Sequence, residues 1–367
     1  MQRGGFPSGS IIATIIVLVG FFAYPFAVGE AGNTKNPAAE ALRQQYPAFS
    51  KYFHPVDTLF FDYDGLVLGE ITNFVYLGRW CALFDRVSGG LYCVDLEKKV
   101  WVKATVDDSL PGYRLDVLGM TGFGEDGFIV SIPPSHYVLF GVNGRVRRVF
   151  TSGSLPASTR FAAARDRIVI YCHRSPEDLF VAQLDMSTGR VRNLFRLEDV
   201  GRNLRNLLYR NRFNGGFLWD GGHRYFVADP YENLIYVYDV AGKLVGLYKS
   251  SYREFRKLKR DAPGSTPSAI MEFMRQSRKT RLDVVYSVGF VEPTTILASY
   301  AIGGKLYAEL FDSYSGRVLN RERIVMPLPL KHCANGFLFL EGPPKTTPTG
   351  ELRNPYLIRF ALNRELQ

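Results

Sequence analysis

Cysteine, histidine and tryptophan are scarce in this chain: four, five and three among 367 residues. Four cysteines are too few for a scaffold stapled by disulfides. The histidines stand at 54, 136, 173, 223 and 332, and no two form an H-x-x-x-H or H-E-x-x-H pair. A locally encoded zinc motif is therefore absent, although ligands from distant strands could still converge. No G-x-S-x-G nucleophile elbow occurs either. The 35 Gly and 20 Pro follow no Gly-x-y period, which excludes a collagen-like chain. Charged residues make up only 22% and aromatics 14%, which excludes intrinsic disorder.

What is abundant is Tyr (21) and Phe (27), a bias toward strands. Net charge is +10. Residues 11–28, IIATIIVLVGFFAYPFAV, carry no charge, and only Arg3 and the α-amino group precede them. A short cationic start, an apolar run and small residues at Ala27-Val28-Gly29 form the pattern of an export signal. The competing reading is a retained anchor, because 18 helical residues span about 27 Å, the thickness of a bilayer core. A buried helix of a soluble protein is the third reading. No Cys follows the run, which argues against a bacterial lipoprotein. Residues 1–29 are thus expected to be a signal peptide or membrane anchor, and the rest to be periplasmic or extracellular. Residues 30–56 read as a connector, with a short helix over Ala38–Gln45 ended by Pro47.

A segment recurs six times beyond Asp57: an apolar strand, a short turn, a basic residue and a second strand. The copies are Leu91–Trp101 (LYCVDLEKKVW), Tyr137–Val149 (YVLFGVNGRVRRV), Leu179–Leu194 (LFVAQLDMSTGRVRNL), Ile235–Leu247 (IYVYDVAGKLVGL), Leu306–Leu319 (LYAELFDSYSGRVL) and Tyr356–Leu366 (YLIRFALNREL). Aligned on the turn, the equivalent positions are Lys98, Gly144, Gly189, Gly242, Gly316 and Arg364, spaced by 46, 45, 53, 74 and 48 residues. A tight hairpin needs a positive φ in its turn, which Gly adopts at little cost. Around the clearest copy a whole unit of four strands can be counted: Gly216–Asp220, His223–Ala228, Asn233–Val240 and Lys243–Lys249. Four strands every 40–50 residues is the period of a propeller blade. An all-β, six-bladed β-propeller over 57–367 is expected. The last copy lacks an outer strand, which Thr58–Tyr63 could supply to close the ring. A β-sandwich with coincidental hairpins is the alternative fold.

The IYVYD-VAG-KLV pattern resembles six-bladed propellers of the NHL and TolB-like kind, many of them exported bacterial proteins. That resemblance implies the fold. It leaves function open, since such propellers include binding scaffolds, lactonases, lyases and sugar dehydrogenases.

The spacing of 74 contains a helical, basic insertion, residues 250–281, with nine Lys/Arg and three Asp/Glu. Ile270, Phe273 and Met274 share one helical face that can dock on the ring. Three readings apply to it: a solvated polar insertion, a docking surface for an acidic protein partner or anionic membrane, and a nucleic-acid site. An exported protein seldom meets nucleic acid. Arg253, Arg256, Lys257, Lys259 and Arg260 are the candidate partner- or lipid-binding residues.

Gly122-x-Gly124-x-x-Gly127 matches a dinucleotide fingerprint only on paper, since a strand, Phe128–Ile132, follows where a helix is required. Asp62-Tyr63-Asp64-Gly65 starts like a calcium loop but lacks the closing ligands. Both read as turns. His223 reads as a strand-start residue, and Trp80, Trp101 and Trp219 as packing between blades. Cys81 and Cys93 flank a hairpin loop and, if centred on residue 87, would lie opposite each other, so a disulfide is one expectation and buried free thiols the other. No cofactor and no metal site are expected. The leading functional expectation is a non-enzymatic exported or membrane-anchored propeller acting as an interaction or scaffold subunit of an envelope or membrane complex. The alternative is a propeller enzyme, such as a metal-dependent lactonase or hydrolase, with its site at the central channel. A third is small-ligand sensing in that channel.

Overall fold

Each repeat forms one antiparallel sheet, because its apolar runs are short, closely spaced and joined by turns. A computed structural model describes residues 42–106, 115–153, 155–173, 178–198, 200, 215–256, 268, 283–342, 346 and 352–363. A helical turn at 42–45 precedes helix α1 (Pro47–Tyr52) and strand β1 (Phe53–Phe60). Blade 1 comprises β2 (Ile71–Leu77), β3 (Trp80–Asp85), β4 (Gly90–Asp95) and β5 (Val100–Ala104). Blade 2 comprises β6 (Gly119–Phe123), β7 (Gly127–Ile132), β8 (His136–Gly141) and β9 (Val146–Thr151). Blade 3 comprises β10 (Phe161–Ala164), β11 (Arg167–His173), β12 (Leu179–Asp185) and β13 (Val191–Arg196). Blade 4 comprises β14 (Gly216–Trp219), β15 (Arg224–Ala228), β16 (Leu234–Asp239) and β17 (Leu244–Lys249). Blade 5 comprises β18 (Val284–Glu292), β19 (Thr295–Ile302), β20 (Lys305–Asp312) and β21 (Ile324–Val325). Blade 6 comprises β22 (Leu330–Ala334), β23 (Phe337–Glu341) and β24 (Tyr356–Leu362), with β1 as its outer strand.

The six four-stranded sheets make a six-bladed all-β propeller. The outer strand of blade 6 comes from before blade 1, but it is Phe53–Phe60 rather than Thr58–Tyr63. The connector therefore ends sooner than residue 56; the expected helix over Ala38–Gln45 is described only at 42–45 and stops there, and Pro47 also opens a second helix. Proline is well placed there, since the first helical N–H has no partner to lose. Arg359 secures this seam: its Nε donates to Asp57 Oδ1 at 2.8 Å and its Nη1 to the Tyr76 hydroxyl at 2.6 Å.

Each described blade junction holds its own apolar cluster. Middle strands feed two clusters at once. In β11, Val169 and Tyr171 face blade 4, while Ile168, Ile170 and Cys172 face blade 2. That is why these strands read as continuous apolar runs and not as alternating ones.

The hairpin turns sit where the repeat predicts. Gly144, Gly189, Gly242 and Gly316 take φ of +75°, +69°, +82° and +69°. In blade 1 the left-handed residue is Lys99 (+55°), one beyond the expected Lys98. Arg364 lies outside the described residues.

The Cys81–Cys93 pairing is corrected by register. Cys81 faces Val94, and Ala82 faces Cys93. A shift of one residue puts the side chains on opposite faces of the sheet. Cys81 packs toward blade 6 and Cys93 toward blade 2, both as buried free thiols.

Candidate functional site

Every blade begins with its innermost strand, so β2, β6, β10, β14, β18 and β22 line one central channel of about 1430 Å³. They run in the same sense, and their exits into the second strands gather at one mouth. The channel wall is mixed: Val75, Leu77, Phe217, Val288 and Phe290 line it together with polar residues such as Thr121, Glu125 and Lys331. Gly289 permits the close approach of blades 5 and 6, since a Cβ there would stand 2.1 Å from Cys333 Sγ.

Several polar groups of the channel are committed. Lys331 Nζ donates to Ile71 O at 2.8 Å and pairs with Glu341 Oε2 at 2.9 Å, tying blade 6 to blade 1. His332 packs against the contacting rings of Phe74 and Phe339, at 5.9 and 6.1 Å. Loss of hydration there pushes its pKa down to about 4, so the imidazole is neutral at pH 7. The same cause pushes the neighbouring Cys333 thiol up to about 12, which leaves it protonated and a poor nucleophile. At the mouth, Arg79 Nε donates to Asp95 Oδ1 at 3.0 Å. This guanidinium, with the Lys98 and Glu97 amides, holds the Asp95 carboxyl down at about 2.

A side cleft of about 690 Å³ opens between the turns of blades 3 and 4, lined by Arg165, Arg167, Trp219 and His223 among others. Trp219 walls both cavities and stacks on Tyr225 at 6.4 Å and 18°. Trp80 also lines the channel mouth, whereas Trp101 packs edge-on against Tyr92 of its own blade. His223 precedes β15, and its N–H donates to Asp220 Oδ1 at 2.8 Å, as a strand-start residue should. His54, His136 and His332 lie on separate blades or faces, and the side chain of His173 is not among those described. Among the described residues no three His, Cys, Asp or Glu stand close enough to hold a metal ion.

The insertion leaves the ring after β17. Ser251 N–H donates to Glu309 Oε1 at 2.9 Å, and the Ser251 hydroxyl bonds the same oxygen. Tyr252 and Phe255 are buried in the blade 4–5 cluster, and the Tyr252 hydroxyl donates to Ala308 O at 2.7 Å. The Arg256 N–H then donates to Asp283 Oδ2 at 2.7 Å, while Asp283 Oδ1 accepts from Gly303 N at 2.8 Å. One buried carboxylate thus pins both ends of the insertion to blade 5. Of the five candidate cations, Arg253 is exposed and Arg256 is tied at its backbone, with its side chain 65% exposed. Lys257, Lys259 and Arg260 lie outside the described residues, as do 1–41 and most of 257–282. No helix among the described residues is long and apolar enough to cross a membrane.

Sequence reasoning missed the acids at the turns. Asp95, Asp185, Asp239 and Asp312 each accept turn N–H groups two to four residues ahead. The signal was present as an Asp three or four residues before the turn residue. It also missed the buried pair between blades 3 and 4. Asp229 accepts from Tyr231 N at 2.8 Å, near Arg160, whose guanidinium lies over the Tyr171 ring at 5.5 Å. Burial pushes the Asp229 carboxyl up to about 7.

No protein-family model and no curated protein sequence matches the chain. Among solved structures, a member of the DUF4221 family from Bacteroides vulgatus is similar, with TM-score 0.58 at 10% identity over 85% of this chain and 97% of that one. A computationally designed protein gives TM-score 0.40 at 9% identity, over 80% of this chain and 71% of its own. At 10% identity the first likeness shows the fold alone.

Proposed function

We propose that the ring is a non-enzymatic interaction subunit of an envelope or membrane complex, exported or anchored through residues 11–28. In this reading it presents the basic insertion 250–281 to an acidic protein surface or an anionic membrane. The observation that carries the reading is the Asp283 clamp. Its carboxylate grips Arg256 at one end of the insertion and precedes β18 at the other. The carboxylate is buried yet satisfied by the Arg256 and Gly303 amides, so the basic insertion leaves the ring at a fixed place rather than from a loose loop. The sequence resemblance to exported NHL and TolB-like propellers supports the same compartment.

The test uses the full chain with vesicles of phosphatidylglycerol or phosphatidylcholine. Selective binding to the anionic vesicles, lost in Arg253→Glu with Lys257→Glu and weakened by salt, supports a membrane surface; screening acts beyond about 10 Å at 0.1 M. Salt-sensitive capture of an acidic protein, lost in the same variant, supports the protein surface. Indifference of both to the charge reversal rejects the insertion as a docking surface. N-terminal sequencing separates a cleaved form starting near Glu30 from an intact anchor, and soluble full-length protein in the cytoplasm rejects both.

A second reading, a metal-dependent lactonase or hydrolase at the channel, is favoured by the size of the channel. Turnover of a lactone panel that depends on an added divalent ion would support it.

A further inference from the structure

The outer strands of the blades differ in how they meet solvent. In blade 2, Arg147 follows the turn and its Nη1 donates to Asp126 Oδ1 at 3.1 Å, while Arg148 Nη2 donates to Ser187 O of blade 3 at 3.1 Å. In blade 3, Arg192 Nη2 donates to Gln183 Oε1 at 3.1 Å. Counting from the turn glycine, the residues of blade 4 that match Arg147 and Arg148 are Val245 and Gly246. Val245 is 51% exposed and Leu247 53% exposed, two residues apart on the edge. Blade 1 also exposes valines, but Val102 lies against Gly144 of blade 2 and Lys103 follows it. Charged side chains and bulges are common guards on exposed sheet edges; β17 is bulged at Val245 as β9 is at Arg147, so what sets blade 4 apart is that the middle of its outer strand carries no charge.

Among the described residues, the backbone of this edge is open as well. Ser250 N donates to Asn233 O, and the antiparallel register pairs Tyr248 with Ile235 and Gly246 with Val237. Because such a ladder bonds alternate residues, Leu247 and Lys249 turn their N–H and C=O groups away from β16. Lys243 and Lys249 bracket the strand, both exposed and neither in an ion pair among the described residues. The edge therefore offers cation, two apolar side chains and cation in order.

We propose that β17 is a docking edge for an extended segment of an acidic partner, which adds to blade 4 as a fifth strand. Its complement is two apolar side chains two residues apart, flanked by carboxylates. Main-chain hydrogen bonds supply affinity in this mode and alternate side chains supply specificity. A second copy of this chain fits worse. Antiparallel pairing of two β17 edges sets Lys243 of each copy against Lys249 of the other, and like charges placed opposite destabilise a pair. The inference rests on the reading of the ring as an interaction subunit, but not on the insertion.

The probe is a labelled peptide, Glu-Thr-Val-Thr-Val-Thr-Glu, titrated into the full-length protein while amide hydrogen exchange is followed. Binding is expected to slow exchange at Leu247 and Lys249. Leu247→Arg should weaken it by at least about tenfold, a loss of one main apolar contact with an added charge. The same peptide with lysine in place of glutamate should not bind. Absence of binding, binding without protection at those two amides, or full binding by Leu247→Arg each overturns the proposal. Self-association abolished by Leu247→Arg, seen by light scattering, assigns the edge to a second copy and overturns the acidic partner. Arg253→Glu with Lys257→Glu separates the two ideas: it should abolish vesicle or acidic-protein binding through the insertion yet leave the β17 amides protected by the peptide.

Discussion

The innermost and outermost strands of this ring live under opposite constraints. Blades are wedges around an axis, so their inner strands crowd while their outer strands splay apart. At the centre, a Cβ on Gly216 would stand 2.3 Å from Val288 Cγ2 and one on Gly289 2.1 Å from Cys333 Sγ. At the rim, Val100, Val240, Val245 and Leu247 are each at least half exposed. Identical hairpin chemistry therefore yields inner strands crowded against their neighbours around the channel and a permissive rim. The insertion follows an outer strand, where additional chain can leave without disturbing inter-blade contacts. The ring still has to hold its root, and it does so with buried acids, Glu309 and Asp283.

The largest effect is expected at the crowded centre. Gly289→Ala should destabilise the ring by about 3 kcal/mol in urea unfolding, as overpacking does. Adding Cys333→Ala should recover at least about half of that, because the two sites share one contact. No recovery would place the crowding elsewhere. At the root of the insertion, Asp283→Ala strips an acceptor from the Arg256 and Gly303 amides and should cost about 2 kcal/mol. Asp283→Asn, which keeps one acceptor, should cost less; equal losses would mean that the amides do not depend on the carboxylate.

A smaller effect is expected in the pH dependence, where two buried groups act with opposite sign. His332 titrates at about 4 in the fold against 6.5 ordinarily. As pH falls below 6.5 the unfolded chain takes the proton first, so stability declines between 6.5 and 4 and is untouched above. Asp229 titrates at about 7 against 3.8. Between 3.8 and 7 the folded protein holds a proton that the unfolded chain has lost, so stability declines as pH rises through that window. His332→Gln should remove the first slope and Asp229→Asn the second, each measured by urea midpoints from pH 4 to 8. Identical profiles in the two variants would contradict the assignment.

The smallest effect is expected at the rim. Leu247→Arg should change stability by no more than about 0.5 kcal/mol, as substitutions at exposed sites do. A larger loss would show that the edge is covered within the monomer and would remove it as a docking strand.

The four strands counted around IYVYD-VAG-KLV differ from β14–β17 by only one residue at most of their ends. Periodicity and turn glycines are local signals, and here local and global preferences agree. The register of Cys81 was not legible, because a hairpin centred half a residue away moves every side chain to the other face. Lys99 shows the same limit: a positive φ outside glycine leaves little trace in sequence. The clamps at Asp283, Glu309 and Lys331 were invisible for another reason. Their partners are 20, 58 and 260 residues away, among them Gly303, Ser251 and Ile71.

The sequence by itself determined the strand count, the period, the site of the basic insertion and the need to borrow an outer strand from before the first blade. Those follow from apolar run length and turn chemistry, which act over a few residues. Only the tertiary structure decided which inner residues face the channel, which acids hold the insertion and which outer edge is unguarded. Each of those depends on how tightly neighbouring blades approach, a distance set by the closed ring as a whole and by no single repeat.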